Sequence, residues 1–89
     1  MAWNLEISPV AQRQLDKLDR TVARRISRFL YERIRTLDDP RQLGERLQGN
    51  LKEFWRYRVG DYRIICSLEH DRLVVMVLRV GHRREIYER

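Results

Sequence analysis

Hydrophobic and polar positions near the start of the chain predict a strand followed by a helix. Apolar and polar residues alternate over residues 3–7, which is the spacing of a half-buried β-strand. Ser8 can then cap a helix whose first residue is Pro9, because serine accepts a backbone hydrogen bond there and proline fits the first helical turn. We therefore expect a short helix that begins at Pro9 and ends near Leu18.

A longer helical pattern follows directly. Asp19 or Thr21 can cap a second helix, which runs to about Leu37 and is stopped by the two acids and the proline at 38–40. The connection between the two helices is short, so they should form an antiparallel hairpin. The apolar residues of the second helix fall on one face and are Val22, Ile26, Phe29, Leu30, Ile34 and Leu37.

The second half of the chain changes to the period of β-strands. We predict strands at residues 54–59, 62–68 and 73–80, joined by tight polar turns, with Gly81 ending the last strand. The predicted fold class is α+β with the order β-α-α-β-β-β. In this fold an N-terminal strand and an antiparallel helical hairpin pack on one face of a small, twisted antiparallel sheet, whose other face stays open.

Length and composition limit the class of protein. A chain of 89 residues without repeats or linkers is expected to form one domain over residues 1–89. Its longest apolar stretch, residues 73–78, is far shorter than the roughly 20 residues of a membrane helix, and no leader-like segment opens the sequence. The single cysteine, Cys66, excludes an intrachain disulfide and a cysteine-based zinc site, and its apolar neighbours predict a buried thiol. We expect a soluble cytoplasmic protein with no membrane partner.

The basic charge is carried almost entirely by arginine. The chain has 17 Arg and 2 Lys, a formal net charge of +6 and a sequence pI near 10.2. Arginine offers a planar fork of donors that suits bidentate contacts with phosphate, whereas lysine is a point charge. This excess favours a polyanionic partner, either nucleic acid or a very acidic protein. The codon bias of a GC-rich genome is the alternative explanation.

Counting with a period of two brings several arginines onto one face of the predicted sheet. Arg56 and Arg58 point away from Trp55 and Tyr57, which should pack against the helices, and Arg63 on the next strand can join them. Arginines on paired strands repel one another unless an anion relieves them, so a phosphodiester is a suitable ligand. A solvated face with scattered arginines is the alternative. The tail adds further candidates, namely His82, Arg83, Arg84 and Tyr87.

Five segments of the chain form a recognisable pattern: Ile7-Ser8-Pro9-Val10-Ala11, Arg46-Leu47-Gln48-Gly49, Phe54-Trp55-Arg56-Tyr57-Arg58, Gly60-Asp61-Tyr62-Arg63-Ile64-Ile65 and Val80-Gly81-His82-Arg83-Arg84-Glu85-Ile86-Tyr87. Together they resemble the RelE/ParE superfamily of bacterial toxins, and the last segment is similar to the end of RelE-type members in particular. The resemblance covers essentially the whole chain. It implies the same β-α-α-β-β-β fold.

The resemblance also implies an activity. RelE-type toxins are mRNA interferases that cut messenger RNA in the A site of the ribosome. In that chemistry a ribose 2′-OH attacks the adjacent phosphate and leaves a cyclic phosphate and a free 5′-OH, with no metal or other cofactor. The positions that match the family's functional residues are Arg56, Arg58, Arg63, Arg83 and Tyr87. From their side-chain chemistry we expect Arg63 and Arg83 to stabilise the phosphorane, Arg56 and Arg58 to bind RNA, and Tyr87 to contact a base or a reacting oxygen. Arg84 in the tail is a further candidate for binding RNA.

One departure from the family concerns the general base. Better-characterised RelE-type members have lysines where Arg56 and Arg58 stand here, and arginine is a poor proton acceptor. His82 is the candidate substitute because the unperturbed pKa of histidine lies near neutrality. Asp61 and Glu85 are weaker candidates for the same role.

The resemblance further implies partners. A cognate antitoxin would cover the face that carries the arginines, the ribosome with mRNA in its A site would be the target, and operator DNA would be bound only through the antitoxin. Two other functions stay open: a ParE-like poison that inhibits DNA gyrase by binding, and an inactive member that binds only RNA or antitoxin. The complete set of basic residues and the tail tyrosine favour the nuclease.

Overall fold

The computed structural model describes residues 3–47 and 54–84, and the strands in these ranges form one sheet. The strands are β1 (Asn4–Ile7), β2 (Glu45–Arg46), β3 (Phe54–Val59), β4 (Tyr62–Glu69) and β5 (Val74–His82). The helical segments are α1 (Pro9–Asp16), α2 (Arg20–Arg28), a π-helical turn (Phe29–Ile34) and a 3-10 helix (Pro40–Leu43).

The sheet is mixed, with the strand order β1-β5-β4-β3-β2. β3, β4 and β5 form the predicted antiparallel meander, and the unpredicted β2 adds two residues at the outer edge of β3. β1 pairs with β5 in parallel, whereas the sequence predicts an antiparallel sheet. A period of two determines which face a side chain occupies but not the direction in which distant strands pair, and this explains the difference. The α+β class is confirmed.

Both helices begin with the caps that the sequence predicts. Ser8 Oγ accepts a hydrogen bond from the backbone N–H of Ala11 at 3.0 Å. Asp19 Oδ2 accepts one from the backbone N–H of Thr21 at 3.0 Å, so the aspartate is the cap of α2. α1 ends at Asp16, slightly earlier than predicted.

The second helix changes its hydrogen-bond pattern instead of continuing as one α-helix to Leu37. After Arg28 it widens into the π-helical turn, in which the Arg35 N–H donates to the Leu30 carbonyl at 2.9 Å. Leu30 and Ile34 are both fully buried. The wider turn therefore keeps the apolar side of the helix on the sheet.

β5 is longer than predicted because its ladder passes through Gly81. Gly81 lies opposite Arg63 and His82 lies opposite Tyr62, so the prediction that this glycine ends the strand is wrong. Pairing with β4 outweighs the cost of about 1 kcal/mol for a glycine within a strand. A β-bulge leaves Leu78 without a partner in β4 and changes the facing of the residues after it.

The core lies between the helices and one face of the sheet. Tyr57 is buried there and Trp55 packs at its margin, as the sequence predicts. Cys66 is fully buried, and burial raises the pKa of its thiol, so the sulfur stays protonated and unreactive. None of the helices within the described ranges is both long and apolar enough to cross a membrane.

Candidate nucleic-acid interface

The open face of the sheet carries arginines on three neighbouring strands. Arg58 of β3 lies directly opposite Arg63 of β4. Arg56 lies opposite Ile65, which in turn lies opposite Arg79 of β5. We call this surface the arginine face and define it by Arg56, Arg58, Arg63 and Arg79. The register of β3 and β4 thus brings together the three arginines that the sequence groups.

Glu45 on the edge strand β2 holds two of these arginines. Its Oε1 accepts hydrogen bonds from Arg56 Nε at 3.2 Å and Nη2 at 2.9 Å, and its Oε2 accepts one from Arg58 Nη2 at 3.1 Å. The hydrogen bond from Arg56 is the main cause that lowers the pKa of Glu45, and the charges of Arg58 and Arg63 add to it. The carboxylate therefore stays ionised and relieves the repulsion between neighbouring guanidinium groups.

The position of Glu45 is set from the core side of the sheet. Tyr57 donates a hydrogen bond from its hydroxyl to the Pro40 carbonyl at 2.8 Å. A Cβ at Gly44 would lie 3.0 Å from the Cε1 atom of Tyr57, so only glycine lets the ring pack this closely on the backbone. The buried tyrosine therefore fixes the segment that enters β2. Sequence patterning missed Glu45 because a strand of two residues has no period to detect.

Arg63 is the most buried side chain of the arginine face, with 7% of its surface exposed. Its Nη1 donates to the Gly60 and Tyr62 carbonyls, each at 3.0 Å. Gly60 lies in the β3–β4 turn and Tyr62 is the first residue of β4, so the guanidinium is held at that end of the sheet. Burial and two backbone partners restrict its rotamers, which suits a fixed donor for a charged ligand.

Arg79 is a member of the arginine face that sequence analysis missed. It falls within the predicted strand at residues 73–80, which is otherwise apolar. Val77 faces the core, so simple alternation would send Arg79 to the core as well. The bulge at Leu78 reverses this and leaves Arg79 exposed on the open face. An arginine in an otherwise apolar strand indicates an exposed position. The face of the sheet on which Arg79 lies, however, depends on a bulge that no pattern in the sequence predicts.

The segment after β5 lies at the same end of the sheet as Arg63. The Arg83 N–H donates to the Asp61 carbonyl in the β3–β4 turn at 2.8 Å. Arg83 is exposed and lies beside the turn that holds the Arg63 guanidinium. Two other tail candidates, Tyr87 and Glu85, lie outside the described residues.

His82 lies on the opposite side of the strands from the arginine face. It is paired with Tyr62, and the two rings meet edge-on with centroids 5.6 Å apart. Its Nδ1 accepts a hydrogen bond from the Arg84 N–H at 3.2 Å. Because Tyr62 and His82 alternate with Arg63 and Gly81, the imidazole is directed away from the guanidinium groups. The structure therefore does not bring the His82 imidazole together with the guanidinium groups of the arginine face.

This arrangement is suited to binding a phosphate group. Guanidinium donors from neighbouring strands share one surface, and a carboxylate already occupies the position between Arg56 and Arg58 that an anionic oxygen would take. Within residues 3–47 and 54–84, no group of three or more histidine, cysteine or acidic side chains is placed to hold a metal ion. The chemistry that these residues offer is electrostatic.

Comparison with known proteins identifies the family. Residues 5–87 match the family described as the ParE toxin of the type II toxin–antitoxin system, parDE. The chain belongs to this family. The resemblance to the RelE/ParE superfamily is thereby confirmed, and the protein is a toxin of the type II toxin–antitoxin class.

Individual relatives agree with this identification. Toxin RelG of Mycobacterium tuberculosis is 27% identical over 89 residues, which cover 100% of both chains. A chain of the toxin–antitoxin complex RelBE2 from the same organism has a TM-score of 0.85 at 23% identity, with 92% of each chain covered. The archaeal RelE–RelB complex from Pyrococcus horikoshii OT3 gives a TM-score of 0.72 at 25% identity, covering 93% of this chain and 97% of that chain. The fold of this toxin is that of RelE-type structures.

Proposed function

We propose that this toxin is a ribosome-dependent endoribonuclease that cleaves mRNA in the A site and so inhibits translation in the cytoplasm. The observation that supports the proposal is the arginine face, on which Arg63 is buried and fixed while Arg56 and Arg58 share one ionised carboxylate. Fixed cations aimed at one place are what a developing phosphorane requires.

In the proposed reaction the ribose 2′-oxygen attacks phosphorus, and the bond between phosphorus and the 5′-oxygen breaks. The products are a 2′,3′-cyclic phosphate and a 5′-OH, with the 2′-OH proton passing to a base and a proton supplied to the leaving oxygen. The phosphorane carries more negative charge than the phosphodiester, so guanidinium groups stabilise the transition state more than the ground state. We assign this role to Arg63 and Arg83, which lie at the same turn.

The remaining candidates bind the RNA. Arg56 and Arg58 contact the backbone when a phosphate displaces the Glu45 carboxylate. Arg84, exposed in the segment after β5, adds a further cation for the RNA. Tyr87 contacts a base beside the scissile bond or one of the reacting oxygens.

Two groups compete for the role of the general base. His82 is the histidine candidate, but its ring packs against Tyr62 on the other side of the strands, so the segment after β5 must move before the imidazole can reach the arginine face. Glu45 already lies on that face, and its lowered pKa keeps it deprotonated. A carboxylate with a lowered pKa gives a cleavage rate that is flat at neutral pH, whereas a histidine base as a residue class gives a rate that changes with pH in the neutral range. The pH–rate profile of the wild type, read beside His82→Gln and Glu45→Gln, separates the two.

Primer extension on a defined mRNA in a reconstituted translation system tests the activity. We expect cuts confined to the codon in the A site, absent on naked RNA and absent with Arg83→Ala. Arg63→Ala and Arg83→Ala should each abolish growth inhibition, while circular dichroism shows an unchanged fold. Full toxicity in both variants would contradict the phosphorane assignment.

We also propose that a cognate antitoxin neutralises this toxin by covering the arginine face, and that operator DNA is contacted only through the antitoxin. This rests on the relatives described as toxin–antitoxin complexes. Co-purification with the product of the adjacent reading frame, followed by recovery of toxicity when that product is removed, tests it.

A gyrase poison is the second candidate because the matching family is described by the ParE toxin. Such a protein would act by binding and would leave mRNA intact. A supercoiling assay with purified gyrase, run beside the primer extension, decides between them. Inhibition of supercoiling together with uncut mRNA would favour the poison, and two negative results would favour an inactive binding protein.

A further inference from the structure

A second basic surface lies around the sheet edge from the arginine face. α2 and the π-helical turn form one wall of a cleft of ≈ 430 Å³, and the end of β3 with its turn forms the other. We call it the helix-edge cleft and define it by its charged and aromatic lining: Arg25, Arg28, Phe29, Glu32, Arg33 and Arg58.

The change of helix type explains why arginines of α2 line one wall. In an α-helix, two side chains four positions apart are separated by slightly more than one full turn about the helix axis, because a turn takes 3.6 residues. In a π-helical turn the backbone hydrogen bonds join residues five positions apart, so a turn takes more residues. Two side chains four positions apart are then separated by slightly less than one full turn. Arg25 to Phe29 spans the α-helix and Phe29 to Arg33 spans the π-helical turn, so the two rotations oppose each other. Arg25 and Arg33 therefore project into the same cleft.

The positive charge of this cleft is not balanced by its own acids. Glu32 pairs with Arg28, with Oε2 4.0 Å from Nε, and both side chains are exposed. Arg58 is paired with Glu45 on the arginine face. For Arg25 and Arg33 the structure records no acidic partner within the parts of the chain that it describes.

The helix-edge cleft is continuous with the arginine face. Arg58 lines the cleft and also belongs to the arginine face. The two surfaces meet again at Gly60. A Cβ on this glycine would lie 3.1 Å from Arg25 Nη1 of the cleft, and the Gly60 carbonyl accepts a hydrogen bond from Arg63 of the arginine face. A smaller cleft of ≈ 250 Å³, lined by Arg33, Arg56 and Arg58 among others, bridges the remaining distance.

We propose that the helix-edge cleft binds the phosphodiester backbone of RNA and continues the RNA path from the arginine face around the sheet edge. This inference rests on the proposed function, because it extends the same RNA-binding surface. The planar guanidinium group of arginine can donate two hydrogen bonds to phosphate oxygens. An RNA strand bound to the arginine face can extend into the adjoining helix-edge cleft. A peptide helix would need apolar anchors, and the cleft offers only the half-buried Phe29 and the buried Val59.

Binding of a short single-stranded RNA with 2′-O-methyl riboses tests the proposal, because the blocked 2′-oxygen prevents cleavage. Fluorescence anisotropy over a range of salt concentrations compares the wild type with Arg25→Ala/Arg33→Ala. The matched control is Arg20→Ala/Arg24→Ala, which removes the same charge from exposed positions of α2 outside the cleft. A second arm measures co-sedimentation of the same proteins with purified ribosomes.

We expect the cleft variant to bind about tenfold more weakly than the control, with a salt slope lower by about 1.4 if two phosphate contacts are lost. A loss in the oligonucleotide arm identifies the messenger strand, and a loss in the ribosome arm alone identifies ribosomal RNA. Equal binding by the two variants in both arms would overturn the proposal. Neither arm measures cleavage, so failure of the nuclease and failure of this cleft remain distinguishable.

Discussion

Glu45 pairs with two arginines at once, and these ion pairs offset part of the positive charge of the arginine face when no ligand is bound. Its oxygens accept from Arg56 and Arg58 at 2.9 and 3.1 Å. Because the pKa of the folded carboxyl lies below its ordinary value, these ion pairs persist above the unfolded pKa and are lost as pH falls through the lowered value. At neutral pH, the carboxylate must be displaced before a phosphate can bind the pair.

Replacing Glu45 by glutamine should therefore strengthen phosphate binding by the arginine face. We expect Glu45→Gln to bind the uncleavable RNA about a few-fold more tightly at low salt, since the ion pairs that compete with the phosphate are exposed and therefore weak. Fluorescence anisotropy measures the change. Glu69→Gln is the matched control, because Glu69 is the last residue of β4 and pairs with Arg72, with 2.8 Å between Oε1 and Nη1. Equal effects in both variants would show a response to net charge alone.

At the level of elements, α1 and its cap lie beside the part of β5 that β1 does not cover, and their side chains bond to the β5 backbone. β1 ends at Ile7, and beyond it the β5 backbone bonds to helix side chains: Ser8 Oγ donates to the Leu78 carbonyl at 3.1 Å, and the Val80 N–H donates to Gln14 Oε1 at 2.7 Å. These contacts satisfy backbone groups beside the bulge, where the ladder is irregular. The helix thus supports the bulge that sends Arg79 to the arginine face.

Ser8→Ala should lower the free energy of unfolding by about 1–2 kcal/mol, because it removes the cap of α1 and the bond to β5 together. Urea denaturation followed by circular dichroism measures the change. Ser27→Ala is the control, since Ser27 lies inside α2 and has no recorded side-chain hydrogen bond within the described ranges. A loss no larger than that of the control would show that the cap does not anchor the helix.

On the scale of the whole molecule, one core joins every layer that positions the site. Ile64 of the central strand β4 is fully buried beside Tyr57 and Val80, which lie opposite it on the two neighbouring strands. The arginines occupy the other side of these same strands. Loss of core packing should therefore release the arginine face at the same time as the helices.

Ile64→Ala should cost about 2–5 kcal/mol, a large share of the roughly 5–10 kcal/mol expected for a domain of this size. The unfolding transitions from circular dichroism and from tryptophan fluorescence should still coincide, as they do for two-state domains. Val10→Ala is the control, because Val10 is 45% exposed and should change the stability by less than about 0.5 kcal/mol. Separate transitions would show that the layers unfold independently.

Much of this architecture follows from local patterns. Alternation assigned Tyr57 to the core and Arg56 and Arg58 to the open face, because neighbouring residues in a regular strand point to opposite sides. The caps Ser8 and Asp19 followed from side-chain chemistry that acts within one turn of chain. Such features depend on residues that are close in sequence, so the sequence by itself determined them.

Only the tertiary structure decided the features that depend on how strands pair. The parallel contact of β1 with β5, the two-residue strand that carries Glu45 and the bulge that exposes Arg79 all arise from contacts between separate strands. The same holds for His82, which pairing with Tyr62 places on the other side of the strands from Arg63. The local preferences of single residues do not predict these contacts, because the contacts form only when the strands have paired and packed on the core.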